Sequence, residues 1–195
     1  MVAAAVILWC PIRGVRIDDS KRLTALQRER ACERILRNGH TGVGIACAED
    51  IDRHNILQAS LLAMQRAVQD LPVAPDVILV DGSAKPPLHL PCWTIPHGDS
   101  RSRLIACASI VAKVLRDRLM RYYHRLLPAY RFDLHKGYGT AIHQAALSAL
   151  GPCVLHRMSF APIASLNHGP VATLSVAAST NAHPKAPLPV LSGAA

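Results

Sequence analysis

Residues 76–86 read DVILVDGSAKP, from Asp76 to Pro86. Val77, Ile78, Leu79 and Val80 form an unbroken apolar run between Pro75 and Gly82, the pattern of a short strand buried on both faces. The run ends on Asp81. In open α/β sheets ligands gather at the carboxyl ends of such strands, so this carboxylate stands where chemistry is common. An aspartate before a glycine also makes an ordinary turn, and on this stretch alone the turn is the more economical reading.

Working outward, other strand and helix patterns alternate. MVAAAVILWCP reads as a strand at the start of the chain, with Pro11 and Gly14 marking a turn. Thr24 and Gln27 have the spacing of a capping box, Leu26, Ile35 and Leu36 would form the buried stripe of the helix that follows, and Gly39 is placed to end it. TGVGIACA is a small-residue strand. EDIDRHNILQASLLAMQRAVQDL is a long helix with Leu57, Leu61, Met64 and Val68 at helical spacing, and Ile56 beside them, as an ordinary core stripe. After the ILVD run, CWTIP is a further short strand. SRSRLIACASIVAKVLRDRLMRYYHRLL is the longest helix, with Ile105, Ser109, Ala112 and Arg116 along one line. AIHQAALSALG is a last helix closed by Gly151. This alternation predicts an α/β fold with a parallel or mixed sheet flanked by helices. One domain over residues 1–163 is expected, then an aperiodic Ala/Pro/Ser/Thr/Val extension over 164–195 that reads as disordered.

The chain has 195 residues and carries 22 Lys and Arg against 13 Asp and Glu, a net charge of +9. That imbalance favours a polyanionic partner, nucleic acid before a membrane surface. Six cysteines without a Cys-x-x-Cys pair argue against a zinc ribbon and suit reduced thiols in the cytoplasm. The opening apolar run has no basic flank and is too short to span a bilayer.

A second carboxylate, Asp99 in IPHGDSRSR, falls at the start of the long helix, where capping would account for it. Asp81 and Asp99 together would also suit Mg²⁺ or Mn²⁺, which take carboxylate oxygens and serve phosphoryl chemistry. In order, DDSKRLT, EDIDRHNILQASLLAMQRAV, ILVDG, HGDSRS, ACASIVAKVLRDRLM, HKGYGTAIH and GPCVLHRMSFAP resemble ribonuclease HII over residues 2–162. The resemblance implies a ribonuclease H-like fold. It also implies an endonuclease acting on RNA in RNA–DNA hybrids and at ribonucleotides embedded in duplex DNA, through two Mn²⁺ or Mg²⁺ ions held by four acids. By motif, Asp81 matches the third acid and Asp99 the fourth. Tyr138 of HKGYGT resembles the tyrosine that stacks on the sugar at the RNA–DNA junction, and Ser20 and Lys21 of DSK are candidate phosphate contacts. Lys113, Arg116 and Asp117 read as a structural ion network, and His135 and His156 receive no catalytic role.

The sequence also departs from the family pattern. The adjacent Asp-Glu pair and Gly-Arg-Gly loop of GxDEAGRGPLAGPV have no counterpart in it, so the first central strand of the fold is expected to be missing. An upstream in-frame segment of that pattern is expected, with Met1 standing where relatives usually carry valine. As written, the chain is expected to bind metal weakly and cleave poorly, the alternative being an inactive, basic nucleic-acid-binding remnant. A monomer is expected. His97 stands where relatives usually carry lysine, Arg131 where they carry glycine, and Gly139 where they carry proline.

Overall fold

The computed structural model describes residues 1–164; the extension expected over 164–195 lies, from residue 165 onward, outside the described residues. Strand β1 (Val2–Leu8) pairs antiparallel with β2 (Gly39–Ile45), in register from Val2 opposite Ile45 to Leu8 opposite Gly39. Between them runs helix α1 (Ala25–Arg37). Its capping box is reciprocal: Thr24 Oγ1 accepts from the Gln27 N–H, and the Thr24 N–H donates 2.9 Å to Gln27 Oε1. The helix ends on Asn38, not Gly39. Gly39 instead opens β2, where a Cβ would lie 2.5 Å from the Ile7 carbonyl oxygen.

The buried face of α1 is Ala31, Cys32 and Ile35, so two members of the expected stripe, Leu26 and Leu36, are exposed. The small residues win because α1 packs closely on α4 (Arg103–Leu126), whose Cys107, Ile110, Val111 and Val114 complete that core with Ile12 and Leu23. Burial pushes the Cys32 and Cys107 thiols up to about 11, so both remain neutral packing groups.

The same rule shifts the stripe of α2 (Ala48–Gln69). Cβ atoms added at Gly42 and Gly44 would fall 2.1 Å from the Ala67 carbonyl oxygen and 1.9 Å from that of Ala63, so strand and helix backbones meet almost directly. Ala59, Ala63 and Ala67 fill that contact with Leu61 also buried, while Ile56 and Leu57 are exposed. A break at Asn55 (φ 68°, ψ 168°) interrupts α2, and Asn55 Oδ1 restarts it by accepting from the N–H groups of Leu57 and Gln58 at 3.0 and 3.1 Å.

Strand β3 (Ile78–Asp81) pairs in parallel with β4 (Cys92–Ile95) as a separate ribbon. Ile78 and Val80 are buried, whereas Val77 is 41 % exposed, so β3 is not covered on both faces throughout. β1 and β3 each have one unpaired edge, and between them lies an apolar groove of about 450 Å³. It is lined by Val2–Ile7 and Val77–Asp81, with Leu104, Ser109 and Ala112 of α4 and Met64 and Val68 of α2 completing the walls. The expected mixed sheet is thus present as one antiparallel and one parallel pair, and no described strand lies between them.

Beyond α4 come a 3-10 turn (Pro128–Tyr130), α5 (Phe132–His135), α6 (Ala141–Leu150) and α7 (Ala161–Ala164). Tyr130, Phe132, Leu147, Cys153 and Ile163 form their core. Gly151 closes α6 as expected, at φ 71°. Asp52 of α2 ties this end back to the body by accepting from the N–H groups of Met158 and Ser159 at 2.8 and 3.1 Å. Burial would raise the Asp52 pKa, but these donors and the Ser159 hydroxyl hold it below the usual carboxylate value.

Candidate active site

Asp81 ends β3, and its Oδ1 accepts a 2.8 Å hydrogen bond from the Gly98 N–H. Glycine gives that contact room: a Cβ at residue 98 would sit 2.6 Å from Ile105 Cδ1, which would have to shift, and 3.4 Å from Asp81 Oδ1. His97, in the left-handed region at φ 55°, turns the chain into α3 (Gly98–Arg101). Asp99 follows immediately, so the two aspartates expected to act together are joined through one backbone N–H. Asp99 does not cap the long helix. Ser102 does, its Oγ accepting from the Ile105 N–H at 3.5 Å. Among the described residues neither Asp81 Oδ2 nor the Asp99 carboxylate takes a hydrogen bond or ion pair, which leaves three carboxylate oxygens without a protein partner. Their chemistry fits a hard divalent cation. No set of three His, Cys, Asp or Glu able to hold a metal is found among the described residues.

Ser20 and Lys21 lie in a 3-10 turn (Ser20–Arg22) capped by Asp19, whose Oδ1 accepts from the Lys21 N–H at 2.9 Å. Ser20 is therefore not the cap. It is buried, and its hydroxyl shares a 3.1 Å hydrogen bond with Ser109 Oγ of α4. Lys21 is exposed.

Tyr138 is 56 % exposed, and its ring lies against α4 with the Arg116 Cζ 4.8 Å and the Lys113 Nζ 5.5 Å from the ring centre. Both cations belong to the expected ion network. Asp117 accepts from Lys113 Nζ at 2.8 Å, with Arg28 and Arg116 at 3.9 and 4.0 Å. Helix α4 is the common ruler of the site. Ile105 underlies Gly98, Ser109 holds Ser20, and Lys113 and Arg116 hold Tyr138. The Asp99 and Tyr138 ends are thus anchored about 16 Å apart along one helix, at ~1.5 Å per residue.

One group escaped the sequence reading. His143, in α6, is buried with His135 and His156, its Nδ1 lying 3.0 Å from the Tyr138 carbonyl oxygen. The only signal in the sequence was three histidines within an apolar stretch of 22 residues, His135 to His156.

The family model described as ribonuclease HII matches residues 1–163. The chain belongs to the ribonuclease HII family. The chain is 51 % identical over 166 residues to ribonuclease HII of Nitrosococcus oceani, covering 84 % of this chain and 82 % of that one. It is 48 % identical over 161 residues to ribonuclease HII of Syntrophotalea carbinolica, covering 82 % of this chain and 77 % of that one. The fold agrees with solved structures. The ribonuclease H2 of Pyrococcus horikoshii superposes with a TM-score of 0.63 at 18 % identity, covering 84 % of this chain and 96 % of that one. The Archaeoglobus fulgidus structure of ribonuclease HII with PCNA gives 0.65 at 21 %, covering 87 % and 90 %. Ribonuclease H activity is the activity of this family, and the ribonuclease H fold expected from the sequence is the fold found.

Proposed function

We propose that this chain is a divalent-metal-dependent endonuclease that hydrolyses RNA within RNA–DNA hybrids and at ribonucleotides embedded in duplex DNA. The observation that carries this reading is the hydrogen bond that holds Asp81, at the end of the groove, to Gly98, the residue before Asp99. Mg²⁺ and Mn²⁺ are commonly held by one or two protein carboxylates and keep several waters, so this donor set suits them. When bound, two such ions supply Lewis-acid stabilisation of phosphate charge and an activated water.

The chain's own part is to hold and orient. Gly98 fixes Asp81 through Oδ1 and leaves Oδ2 free to ligate a cation, with Asp99 the next residue along the chain from Gly98. Tyr138 offers an aromatic face to the sugar, flanked by the positive charge of Lys113 and Arg116 that the neighbouring phosphates require. Ser20 anchors the turn that presents Lys21 to the backbone. Residues 1–163 make up the catalytic domain in this reading, acting as a cytoplasmic monomer. All six cysteines are unpaired, and no described helix is long and apolar enough to cross a membrane.

With two carboxylates, residues 1–195 are expected to hold metal weakly and to cleave slowly. The test is Mn²⁺ titration and cleavage of a duplex with one ribonucleotide, comparing the chain with Asp81→Asn and Asp99→Asn. Metal affinity should fall at least tenfold in each variant. Unchanged affinity in Asp81→Asn would leave a nucleic-acid-binding module without the assigned site. Binding should also weaken with salt, each phosphate contact adding about 0.9 to the magnitude of the negative slope of log K against log salt on duplex DNA.

A further inference from the structure

Behind Tyr138 lie three buried histidines, and their hydrogen bonds run in one direction. The Tyr138 carbonyl oxygen, which can only accept, lies 3.0 Å from His143 Nδ1, so the neutral His143 ring carries its proton there and its Nε2 accepts. His156 Nε2, 3.0 Å from His143 Nε2, then donates to it. His156 Nδ1 is left to accept, and of the Cys153 groups around it, the N–H at 3.0 Å, the Sγ at 3.1 Å and the carbonyl oxygen at 3.3 Å, the N–H is the donor it takes. The Tyr138 carbonyl thus leaves one tautomer for each ring. His135 grips the same turn from the other side. Its Nδ1 accepts from the Gly137 N–H at 3.1 Å, its Nε2 donates to the Tyr130 carbonyl oxygen at 2.7 Å, and its ring stacks on His143 with centroids 4.2 Å apart.

We propose that His143 is a positioning residue for Tyr138, set in its donor tautomer by His156, and that the relay seats the tyrosine against Lys113 and Arg116 only while both imidazoles are neutral. The functional half of this rests on the reading of Tyr138 as the substrate-facing tyrosine.

A proton added to His143 would set two N–H groups facing each other across the 3.0 Å contact, and one added to His156 would exchange the bond from the Cys153 N–H for one to the Cys153 carbonyl oxygen, 3.3 Å away. The surroundings resist both. Burial, then the neighbouring His143, pushes His156 down to about 4, and burial, outweighing the Tyr138 carbonyl, lowers His143. The groups facing the relay are His135 of α5, Tyr130 of the 3-10 turn and Cys153 after α6, with Arg116 and Lys113 of α4 across the Tyr138 ring. Burial holds the Tyr130 phenol and Cys153 thiol up, so neither brings a negative charge that would welcome an imidazolium.

Imidazole nitrogen-15 shifts of the full chain test the relay directly. At neutral pH they should show His143 protonated on Nδ1 and His156 on Nε2; either ring in the other tautomer, or charged, overturns the proposal. Tyr138 ring and carbonyl resonances should move on acidification in step with the His143 titration. In His143→Asn, whose amide keeps a donor but does not titrate, that step should vanish; its persistence overturns the positioning role. Amide spectra and melting curves exclude variants that do not fold. Binding is then read in EDTA at neutral pH with a duplex carrying one ribonucleotide, against the all-DNA duplex. Tyr138→Ala should weaken preference for the ribonucleotide roughly tenfold, the scale of one lost aromatic contact. His143→Ala should lose a similar factor, and the double variant little more. Full additivity of the two losses overturns the coupling. No loss in Tyr138→Ala overturns the substrate reading of Tyr138, while the resonance shifts still decide the relay.

Discussion

Asp81 and Asp99 hang on two four-residue elements, β3 beside an apolar groove and α3, with a single hydrogen bond between their side chains and the nearby backbone. Tyr138 instead stands on a turn whose N–H and carbonyl groups are gripped by His135 and His143, over a core in which Tyr130 and Phe132 stack at 5.4 Å. The contrast follows from what each end would meet. Carboxylates meant for a cation need oxygens left free, since every protein donor they satisfy is one ligand fewer. An aromatic that reads a sugar by its face has no strong bond to orient it, so its backbone must be set beforehand.

Truncations on the two sides should break this comparison most sharply if it is wrong. Phe132→Ala, in a sealed core, should cost about 3–5 kcal/mol in urea unfolding. Ile78→Ala should cost only ~2 kcal/mol, because the vacated volume opens on the groove and is filled by solvent. Equal costs would mean that the groove is as tightly closed as the histidine core. Next in size is Asp81→Asn. Unfolding free energy should change by less than about 1 kcal/mol, because the amide oxygen still accepts from Gly98, while Mn²⁺ affinity drops at least tenfold by calorimetry.

Acid should separate the two ends as well. His143 and His156 are lowered in the folded chain from 6.5, His156 to about 4, so the unfolded chain binds more protons between those values. The stability these neutral rings contribute is complete above pH 6.5 and is lost as pH falls toward 4. Urea midpoints measured across that window should decline, and His143→Asn should flatten part of the decline. A midpoint unchanged from pH 7 to pH 5 would show that the rings are not buried neutral. The smallest effect is expected at Arg131, which adopts φ 56°, where a side chain is strained. Arg131→Gly should raise stability by ~0.5 kcal/mol, the strain relieved less the entropy that glycine loses. Thermal melting that falls instead would show that the arginine makes a contact worth more than its strain.

Asp81, Asp99 and Tyr138 were singled out through the family resemblance, because a strand end, a helix start and a glycine turn by themselves also suit an ordinary turn, a cap and a half-buried tyrosine. The order of strands and helices and the Thr24 and Gln27 capping box were legible from local pattern. Three-dimensional packing decided the rest. The buried face of α2 was set by how closely Gly42 and Gly44 let that helix approach, and the buried face of α1 by its packing on α4, so smaller residues displaced leucines that periodicity favours. The cap of the long helix passed from Asp99 to Ser102 because α3 ends before that helix begins, and Ser20 turned inward because Ser109, 89 positions away, came within hydrogen-bond distance. The histidine relay was hidden for the same reason. Spacing along a chain gives no direction to a hydrogen bond, and only the folded backbone at Tyr138 imposes one.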